Sequence, residues 1–289
     1  MLGKKSLLLS VVFCLCSLLS LMVAETKTAP VGLSAAQIVE KNVTARGGSQ
    51  AWRAVQTMSW TGKMDAGGGS LERSRRVAEG RRMRPSKMAL ADSKEAGSQG
   101  ETKQAQLPFV YEMKRPGKSR VEIEFAGKTA VQVYDGTNGW KLRPFLNRND
   151  VEPFTAEEAK SETDNAELDG PLVDYAAKGT KVELEGVEKV EGRDAYKLKL
   201  ILKSGNVRHI WIDTQSFLDV KVEGAAHRMD GKMRTVWTYQ RDFRPVQGLM
   251  VPFTLDTVVD GYHDTHKMVL EKVEVNPKLD DALFTKPKA

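Results

Sequence analysis

The sequence has almost no cysteine. Its only two cysteines, Cys14 and Cys16, lie in one apolar run near the amino terminus. Once that run is removed during export, the chain has no thiol to form a disulfide, bind a soft metal ion or attack a substrate. A disulfide-stabilised scaffold and a cysteine-dependent enzyme are therefore both excluded for the processed chain.

Recognisable catalytic and cofactor motifs are also missing. The chain contains neither a glycine-rich phosphate loop nor a Gly-x-Ser-x-Gly nucleophile elbow. His263 and His266 are three residues apart, which places them on opposite faces of a strand and argues against a shared metal site. The carboxylates mostly alternate with Lys or Arg, the pattern of ordinary cross-strand pairs. We therefore predict no catalytic residue, no metal site and no cofactor, so the chain is not expected to be an enzyme.

The first 24 residues have the layout of a secretory signal. Lys4 and Lys5 precede an apolar run from Leu7 to Ala24, and the chain turns polar after it. We predict cleavage after Ala24, followed by a flexible segment over residues 25–33. An uncleaved inner-membrane anchor is the alternative, because the run is close to the length of a short membrane span. Either reading places the protein in the periplasm.

The charge of the chain gives little reason to expect a nucleic-acid partner. The formal net charge of +6 includes Lys4 and Lys5, so removal of the signal lowers it to +4. Acidic and basic residues alternate closely along the remainder, which is a weak case for nucleic-acid binding. We predict a monomeric protein that binds no nucleic acid.

Apolar residues repeat with a period of two along most of the mature region. Before this pattern begins, Ser34 and Gln37 form a capping box that predicts a helix ending near Gly47, and residues 50–55 predict a second short helix. From Thr57 onward the alternation is typical of strands with one face exposed to solvent. The segments that show this alternation most clearly are Thr57 to Met64, Phe109 to Met113, Val121 to Phe125, Val207 to Asp213, Leu218 to Glu223, Met233 to Arg241, Met250 to Asp260 and Lys267 to Val275.

Short turn and helix-start motifs lie between the predicted strands. Asp135-Gly136 and Asn138-Gly139 predict the turn of a hairpin. Thr155 and Glu158 form a second capping box. Asp169, Gly170 and Pro171 predict the start of another short helix, which carries Leu172, Val173 and Tyr175. The chain therefore predicts a mainly β fold with a few short helices.

One segment interrupts the pattern. Residues Asp65 to Leu107 are rich in Gly, Ser, Arg and Lys and contain few large apolar side chains. Such a composition buries too little surface to offset the entropy lost on ordering. We interpret it as a disordered insertion in a single domain that covers residues 34–289.

A sheet of about a dozen strands with one apolar face has to cover that face. Large antiparallel sheets curl, and a curled sheet with a few helices over it leaves a concave apolar space suited to acyl chains. The pattern alone therefore favours a protein that holds lipid over one that catalyses a reaction.

Several motifs resemble the LolA/LolB superfamily of outer-membrane lipoprotein-sorting proteins. They are Gly47-Gly48 after the first helix, the short helix with Trp52, the strand end Trp60-Thr61-Gly62, Tyr134-Asp135-Gly136 with Gly139-Trp140, and the closing stretch Leu279 to Phe284. The resemblance implies a curled antiparallel sheet that forms a half-open barrel lidded by helices. It also implies a periplasmic carrier whose apolar cavity receives acyl chains of lipids or lipoproteins. A related branch, similar to RseB, implies the alternative of an envelope sensor that binds a membrane-anchored partner.

Aromatic side chains are the candidate ligand-binding residues. The tryptophans of the predicted strands are far apart in sequence, and Phe253 lies between Pro252 and Thr254. We interpret five residues as lining the cavity, with packing in an ordinary core as the alternative. They are Trp60, Trp140, Trp211, Trp237 and Phe253.

Overall fold

The computed structural model describes residues 32–65, 105–144, 148–229, 231–262 and 265–288. The predicted signal and the segment that follows it lie outside these ranges, apart from Gly32 and Leu33. The helices are α1 (Ala35–Ala45), α2 (Ser49–Ala54), α3 (Ala156–Asn165) and a 3-10 helix (Asp281–Phe284). None of the helices in the described ranges is long and apolar enough to cross a membrane.

Fifteen strands account for most of the described residues. Thirteen of them form one antiparallel sheet in the order β6-β5-β4-β3-β2-β1-β15-β14-β13-β10-β9-β8-β7, and β11 pairs with β12 alone. Strands β6 and β7 are the two edges, so the sheet is not closed, and the mainly β fold predicted from the sequence is confirmed. The strands are β1 (Thr57–Asp65), β2 (Gln106–Lys114), β3 (Lys118–Phe125), β4 (Lys128–Tyr134), β5 (Gly139–Arg143), β6 (Arg148–Pro153), β7 (Lys181–Val190), β8 (Arg193–Ile201), β9 (Val207–Asp213), β10 (Asp219–Glu223), β11 (His227–Met229), β12 (Lys232–Arg234), β13 (Val236–Val246), β14 (Leu249–Val259) and β15 (His266–Val275).

The pairing register sorts the side chains onto two faces. Trp60 lies opposite Tyr111, and Tyr111 lies opposite Val121, so these three share one face, which we call the inner face. Helices α1 and α2 pack on it. Ile38 of α1 belongs to a buried cluster with strands β8 and β9, and Trp52 of α2 to a second one with β1, β2, β14 and β15.

The opposite face, which we call the outer face, carries the 3-10 helix. Asp280 caps this helix by accepting a hydrogen bond from the backbone N–H of Ala282 (2.9 Å). Arg120 of β3 donates to the carbonyl oxygen of Leu283 (2.9 Å), and Phe284 is fully buried. The closing stretch of the chain is thus a packing element of the outer face.

The helix predicted from Asp169 is wrong. Residues 168–179 form consecutive turns instead. Gly170, Asp174 and Gly179 all have positive φ (76°, 52° and 78°), which a right-handed helix cannot contain. Leu172 and Val173 are nevertheless fully buried on the inner face, so the apolar residues were recognised even though their backbone was not.

Two predicted strand boundaries also need correction. Asp65 pairs with Gln106 in neighbouring strands, so the interpreted insertion begins too early and ends too late. Residues 66–104, its central part, lie outside the described ranges. The single strand predicted over residues 233–241 is divided at Thr235, because β12 turns back through Gly231 (φ 75°) to pair with β11.

Asp169 anchors the turn segment to the sheet. Its buried carboxylate accepts hydrogen bonds from Arg115 Nη2 (2.8 Å) and Lys178 Nζ (2.6 Å). Arg115 also donates to the backbone carbonyls of Val55 and Trp52 (2.8 and 3.2 Å). One carboxylate therefore connects residues 168–179, helix α2 and the β2–β3 turn.

Candidate functional site

Helix α3 begins where local sequence dictates. Thr155 accepts a hydrogen bond from the backbone N–H of Glu158, and Glu158 accepts one from the backbone N–H of Thr155, as the capping box predicted. No residue of the helix is buried. It is therefore held in place by polar side-chain contacts and contributes no residue to the apolar core.

On one side, α3 contacts strands near the β6 edge of the sheet. Lys141 of β5 donates to Glu158 (2.5 Å), and Ser119 of β3 donates to Glu162 (2.7 Å). Both strand residues lie on the inner face by register.

On the other side, α3 contacts the β8–β9 region. Asp164 accepts hydrogen bonds from Ser204 Oγ (3.1 Å) and Asn206 Nδ2 (2.6 Å) in the turn between these strands. Arg208 of β9 donates from Nη1 to Asn165 Oδ1 (2.6 Å). The helix thus bridges two distant parts of one sheet.

This bridge requires the sheet to be strongly curled. Strands β5 and β9 are nine neighbours apart in the sheet order. Nine flat spacings would separate them by about 43 Å, whereas the ten residues of α3 span about 15 Å. Only a curled sheet brings both strands within side-chain reach of one short helix, so the inner face is concave.

A cavity of about 920 Å³ lies between α3 and the concave inner face. Part of its wall is apolar and includes Phe154, Val207, Met233 and Val236. Val207 and Met233 are each 48% exposed, and they are two of the four large apolar side chains exposed in the described ranges. The remainder of the wall consists mainly of charged and polar side chains of α3, β9, β10 and β11, together with Gln132 of β4.

Gly139 allows Phe154 to take its place beside the cavity. A Cβ atom at Gly139 would lie 1.9 Å from Cδ2 of the Phe154 ring, so no larger residue fits without displacing the ring. The ring stacks on Tyr134 with a centroid separation of 6.5 Å. The Gly139-Trp140 motif therefore has a packing role at the edge of the site.

Two acidic side chains of the cavity wall, Glu158 and Glu162, accept hydrogen bonds from other residues of the chain. Burial opposes ionisation of Glu158, but hydrogen bonds from Lys141 and Thr155 outweigh it and lower the pKa of Glu158. Glu162 is bound by Ser119, as described above. Its charge, added to the larger effect of burial, raises the pKa of the Tyr111 phenol.

Arg208 is a largely buried charge of the cavity wall that has an unsatisfied hydrogen-bond donor. Its side chain is 12% exposed, and Nη2 is buried with no hydrogen-bond partner in the described part of the chain. The nearest carboxylate oxygen, Oδ2 of Asp164, is 3.7 Å from Nη2, close enough for an ion pair but beyond hydrogen-bond distance. Burial accordingly lowers the pKa of the Arg208 guanidinium despite the charges of Asp164 and Glu223.

The five predicted ligand-binding residues lie on both faces of the sheet. Trp60 is on the inner face, and Phe253 belongs to the same buried cluster. Trp140 pairs with Val133 on the outer face and lies near Phe284. Trp211 and Trp237 are opposite Lys221 and Glu223 and also belong to the outer face. The structure therefore brings Trp60 and Phe253 to the concave side and the other three to the convex side.

Two of the outer-face tryptophans, Trp211 and Trp237, form a cluster around a lysine. Lys221 Nζ lies 4.3 Å from the ring centroid of Trp211, 4.7 Å from that of Trp237 and 5.6 Å from that of Tyr239. These are cation–π distances, and burial lowers the pKa of Lys221. Trp211 also donates to Glu188 (2.8 Å). The cluster is fully accounted for by contacts within the chain.

Sequence reasoning missed the residues that line the cavity. Phe154 follows a short strand with no clear alternation, Val207 is the first residue of β9, and Met233 is the middle residue of the three-residue strand β12. Arg208 lies between Val207 and His209 in an otherwise ordinary strand. Next to the cavity, the sequence singled out Gly139, as part of the Asn138-Gly139 turn pair and of the Gly139-Trp140 motif.

Solved structures show the same fold. A LolA superfamily protein from Nitrosomonas europaea superposes with a TM-score of 0.51 and 14% identity, over 88% of this chain and 99% of its own. A DUF1329 family protein from Desulfovibrio piger gives 0.51 and 12%, over 88% and 98%. A domain from Vibrio parahaemolyticus, assigned as an outer membrane lipoprotein-sorting protein, gives 0.50 and 12%, over 87% and 96%.

No protein-family model and no curated protein sequence matches the chain. At identities of 12–14% the structural likeness establishes the fold alone. The chain has the LolA-like fold that its turn and packing motifs predicted.

Proposed function

We propose that this protein is a non-catalytic carrier of the bacterial envelope that binds the acyl chains of a lipid or lipoprotein. The observation that carries the proposal is the cavity of about 920 Å³ on the concave face. Its volume lies within the range of small-molecule sites, about 300–1,000 Å³. The predicted signal at residues 1–24 supports a periplasmic location.

The exposed apolar side chains of the wall support an apolar ligand. Isolated exposed apolar residues are common on protein surfaces, but a concave group of them is characteristic of a binding site. Val207 and Met233 would lose their contact with water when a chain enters. Trp60 and Phe253, on the inner face of the sheet, are further candidates for contact with the deeper end of a long chain.

Affinity should depend on chain length. Each methylene that leaves water contributes about 0.8 kcal/mol, so two more methylenes should tighten binding by roughly tenfold. The full chain, exported and purified, would be titrated by calorimetry with single-chain amphiphiles of 8, 10, 12 and 14 carbons. Affinity that does not change with chain length would contradict the proposal.

A matched pair of variants tests whether the cavity is the site. Val207→Asp places a charge in the wall, whereas Val187→Asp places the same charge on the edge strand β7, where Val187 is 54% exposed. We expect V207D to weaken binding of the 12-carbon amphiphile by tenfold or more and V187D to leave it unchanged. Equal effects would show that the cavity is not the binding site.

Mass spectrometry of the protein under native conditions gives an independent test. A carrier should retain envelope lipid through purification, in an amount that V207D reduces. Recovery of one stoichiometric envelope protein without lipid would instead favour the RseB-like sensor.

A further inference from the structure

We infer that the cavity selects an amphiphile with an acid group, and that Arg208 binds that group. The inference rests on the proposed function and specifies its ligand: a single- or multiple-chain molecule bearing a carboxylate or a phosphate. It depends on the position of Arg208, on its unused hydrogen-bonding capacity and on the apolar surface next to it.

Arg208 lies where two cavities meet. It lines the cavity of about 920 Å³ and also a smaller pocket of about 120 Å³ under the carboxyl-terminal end of α3. Leu200, Ile210 and Val222 contribute apolar side chains to the smaller pocket. The guanidinium is therefore placed beside apolar surface on one side and the open cavity on the other.

The hydrogen bonding of Arg208 is incomplete within the described residues. A guanidinium carries five N–H groups, and within the described residues Asn165 Oδ1 accepts a side-chain hydrogen bond from one of them, on Nη1. Oδ2 of Asp164, the nearest carboxylate oxygen, already accepts from Ser204 and Asn206. A buried cation with an unsatisfied donor is costly, and an acid group of a ligand would satisfy it through charge-assisted hydrogen bonds.

Most of the neighbouring acidic residues are already bound by other groups of the chain, and the remaining one, Glu157, is exposed to solvent. Glu223 accepts a hydrogen bond from the backbone N–H of His209 (3.1 Å) and contacts the His209 ring. Glu167 is paired with Lys178 (2.9 Å). Glu158 and Glu162 are bound from β5 and β3 as described, and Glu157 is an exposed residue of α3. Among these charged groups, Arg208 is buried and still has an unpaired hydrogen-bond donor.

The geometry also explains the choice of arginine. A planar guanidinium binds both oxygens of a carboxylate or phosphate, whereas an ammonium acts as a point charge. Arg208→Lys should therefore retain part of the acid preference, and Arg208→Gln should remove it. The smaller pocket suits the first methylenes next to the acid group.

The experiment compares head groups on one chain length. Dodecanoate, dodecyl phosphate, 1-dodecanol and dodecyltrimethylammonium would be titrated at pH 7 into the wild-type full chain. We expect the two anions to bind about tenfold to hundredfold more tightly than the alcohol, the range of a charge-assisted hydrogen bond. The ratio between the two anions distinguishes a carboxylate ligand from a phosphate ligand.

The variants separate Arg208 from general charge. Arg208→Gln should bind the acid and the alcohol equally, while Arg193→Gln, a charge-matched control with a side chain 57% exposed and paired with Asp213, should keep the wild-type ratio. Circular dichroism checks that each variant is folded. If Arg208→Gln does not fold, the wild-type ratio and Arg208→Lys decide the question.

The failures of the two proposals are distinguishable. If none of the four amphiphiles binds, the carrier function fails and the acid site fails with it. If the alcohol or the trimethylammonium compound binds as tightly as the acids, the carrier function stands and the acid site is overturned. The acid site is also overturned, with the carrier function intact, if Arg208→Gln keeps the preference for acids. It is likewise overturned if Arg193→Gln loses that preference as much as Arg208→Gln does.

Discussion

A single methyl group added at Gly139 should be costly. In Gly139→Ala the new Cβ would lie 1.9 and 2.1 Å from Cδ2 and Cε2 of Phe154, much closer than van der Waals contact allows. Either the ring leaves its stack on Tyr134 or strand β5 shifts. Overpacking of this kind costs about 1–3 kcal/mol.

The assay is a double-mutant cycle measured by urea unfolding. We expect Gly139→Ala to lower the free energy of unfolding by about 1–3 kcal/mol in the wild-type background. In a Phe154→Ala background the ring is gone, so the same substitution should cost less than about 0.5 kcal/mol. In a thermal scan, Gly139→Ala in the wild-type background should lower Tm by about 2–4 °C for each kcal/mol of stability that it removes.

A control glycine distinguishes this clash from a general effect of glycine replacement. A Cβ at Gly224 would meet Val236 at 3.7 Å, an ordinary contact, so Gly224→Ala should change stability by less than about 0.5 kcal/mol. If Gly139→Ala costs the same with and without the Phe154 ring, the steric argument is refuted.

Three further substitutions test the contacts that hold the site in place. Asp169→Asn removes the charge that binds Arg115 and Lys178, and it should lower the free energy of unfolding in urea by about 3 kcal/mol. Thr155→Ala removes the cap of α3 and should cost about 1 kcal/mol; Thr155→Ser should restore it. Glu158→Gln tests pH dependence. The pKa of Glu158 is lower in the folded state, so its contribution is present above the unfolded value of about 4.3 and lost as the pH falls through the folded value. The stability difference between wild type and Glu158→Gln should therefore shrink between pH 7 and pH 3.

Each of these expectations has a contrary result. Asp194 forms an exposed pair with Lys189, so Asp194→Asn should cost less than about 0.5 kcal/mol, and a loss as large as that of Asp169→Asn would refute the role of burial. An unchanged stability in Thr155→Ala would mean that α3 does not depend on its cap. If the difference in unfolding free energy between wild type and Glu158→Gln stays constant with pH, the charge of Glu158 does not stabilise the fold.

Features fixed by chemistry within a few residues were predictable from the sequence. The capping boxes at Ser34 and Thr155 and the Asp135-Gly136 turn rely on hydrogen bonds between near neighbours in the chain, and the structure confirms all three. The segment after Asp169 was not predictable in the same way. Its apolar residues are compatible with either a helix or a packed turn. The positive φ of Gly170 and Gly179 is incompatible with a helix, so the segment forms turns.

The face on which a distant aromatic residue lies was not predictable from alternation. Alternation shows that Trp60 and Trp140 each point away from their polar neighbours, but both faces of this sheet hold apolar clusters. Relating one strand to another requires the register across the sheet, which shifts at bulges such as the one between Thr61 and Gly62. Arg208 is beyond sequence reasoning for the same reason, because its importance depends on α3, which contacts it from 43 positions away.

The composition of the cavity follows from the way its two walls are built. The inner face of the sheet supplies apolar side chains such as Val236, while α3, which buries none of its residues, can supply only polar ones. A ligand without a polar group would cover the charges of α3 and Arg208 without replacing their contacts with water, which costs free energy. A ligand without a chain would leave Val207 and Met233 exposed. A molecule with both parts satisfies both walls, and for that reason the head-group comparison and the chain-length series have to be measured on the same protein.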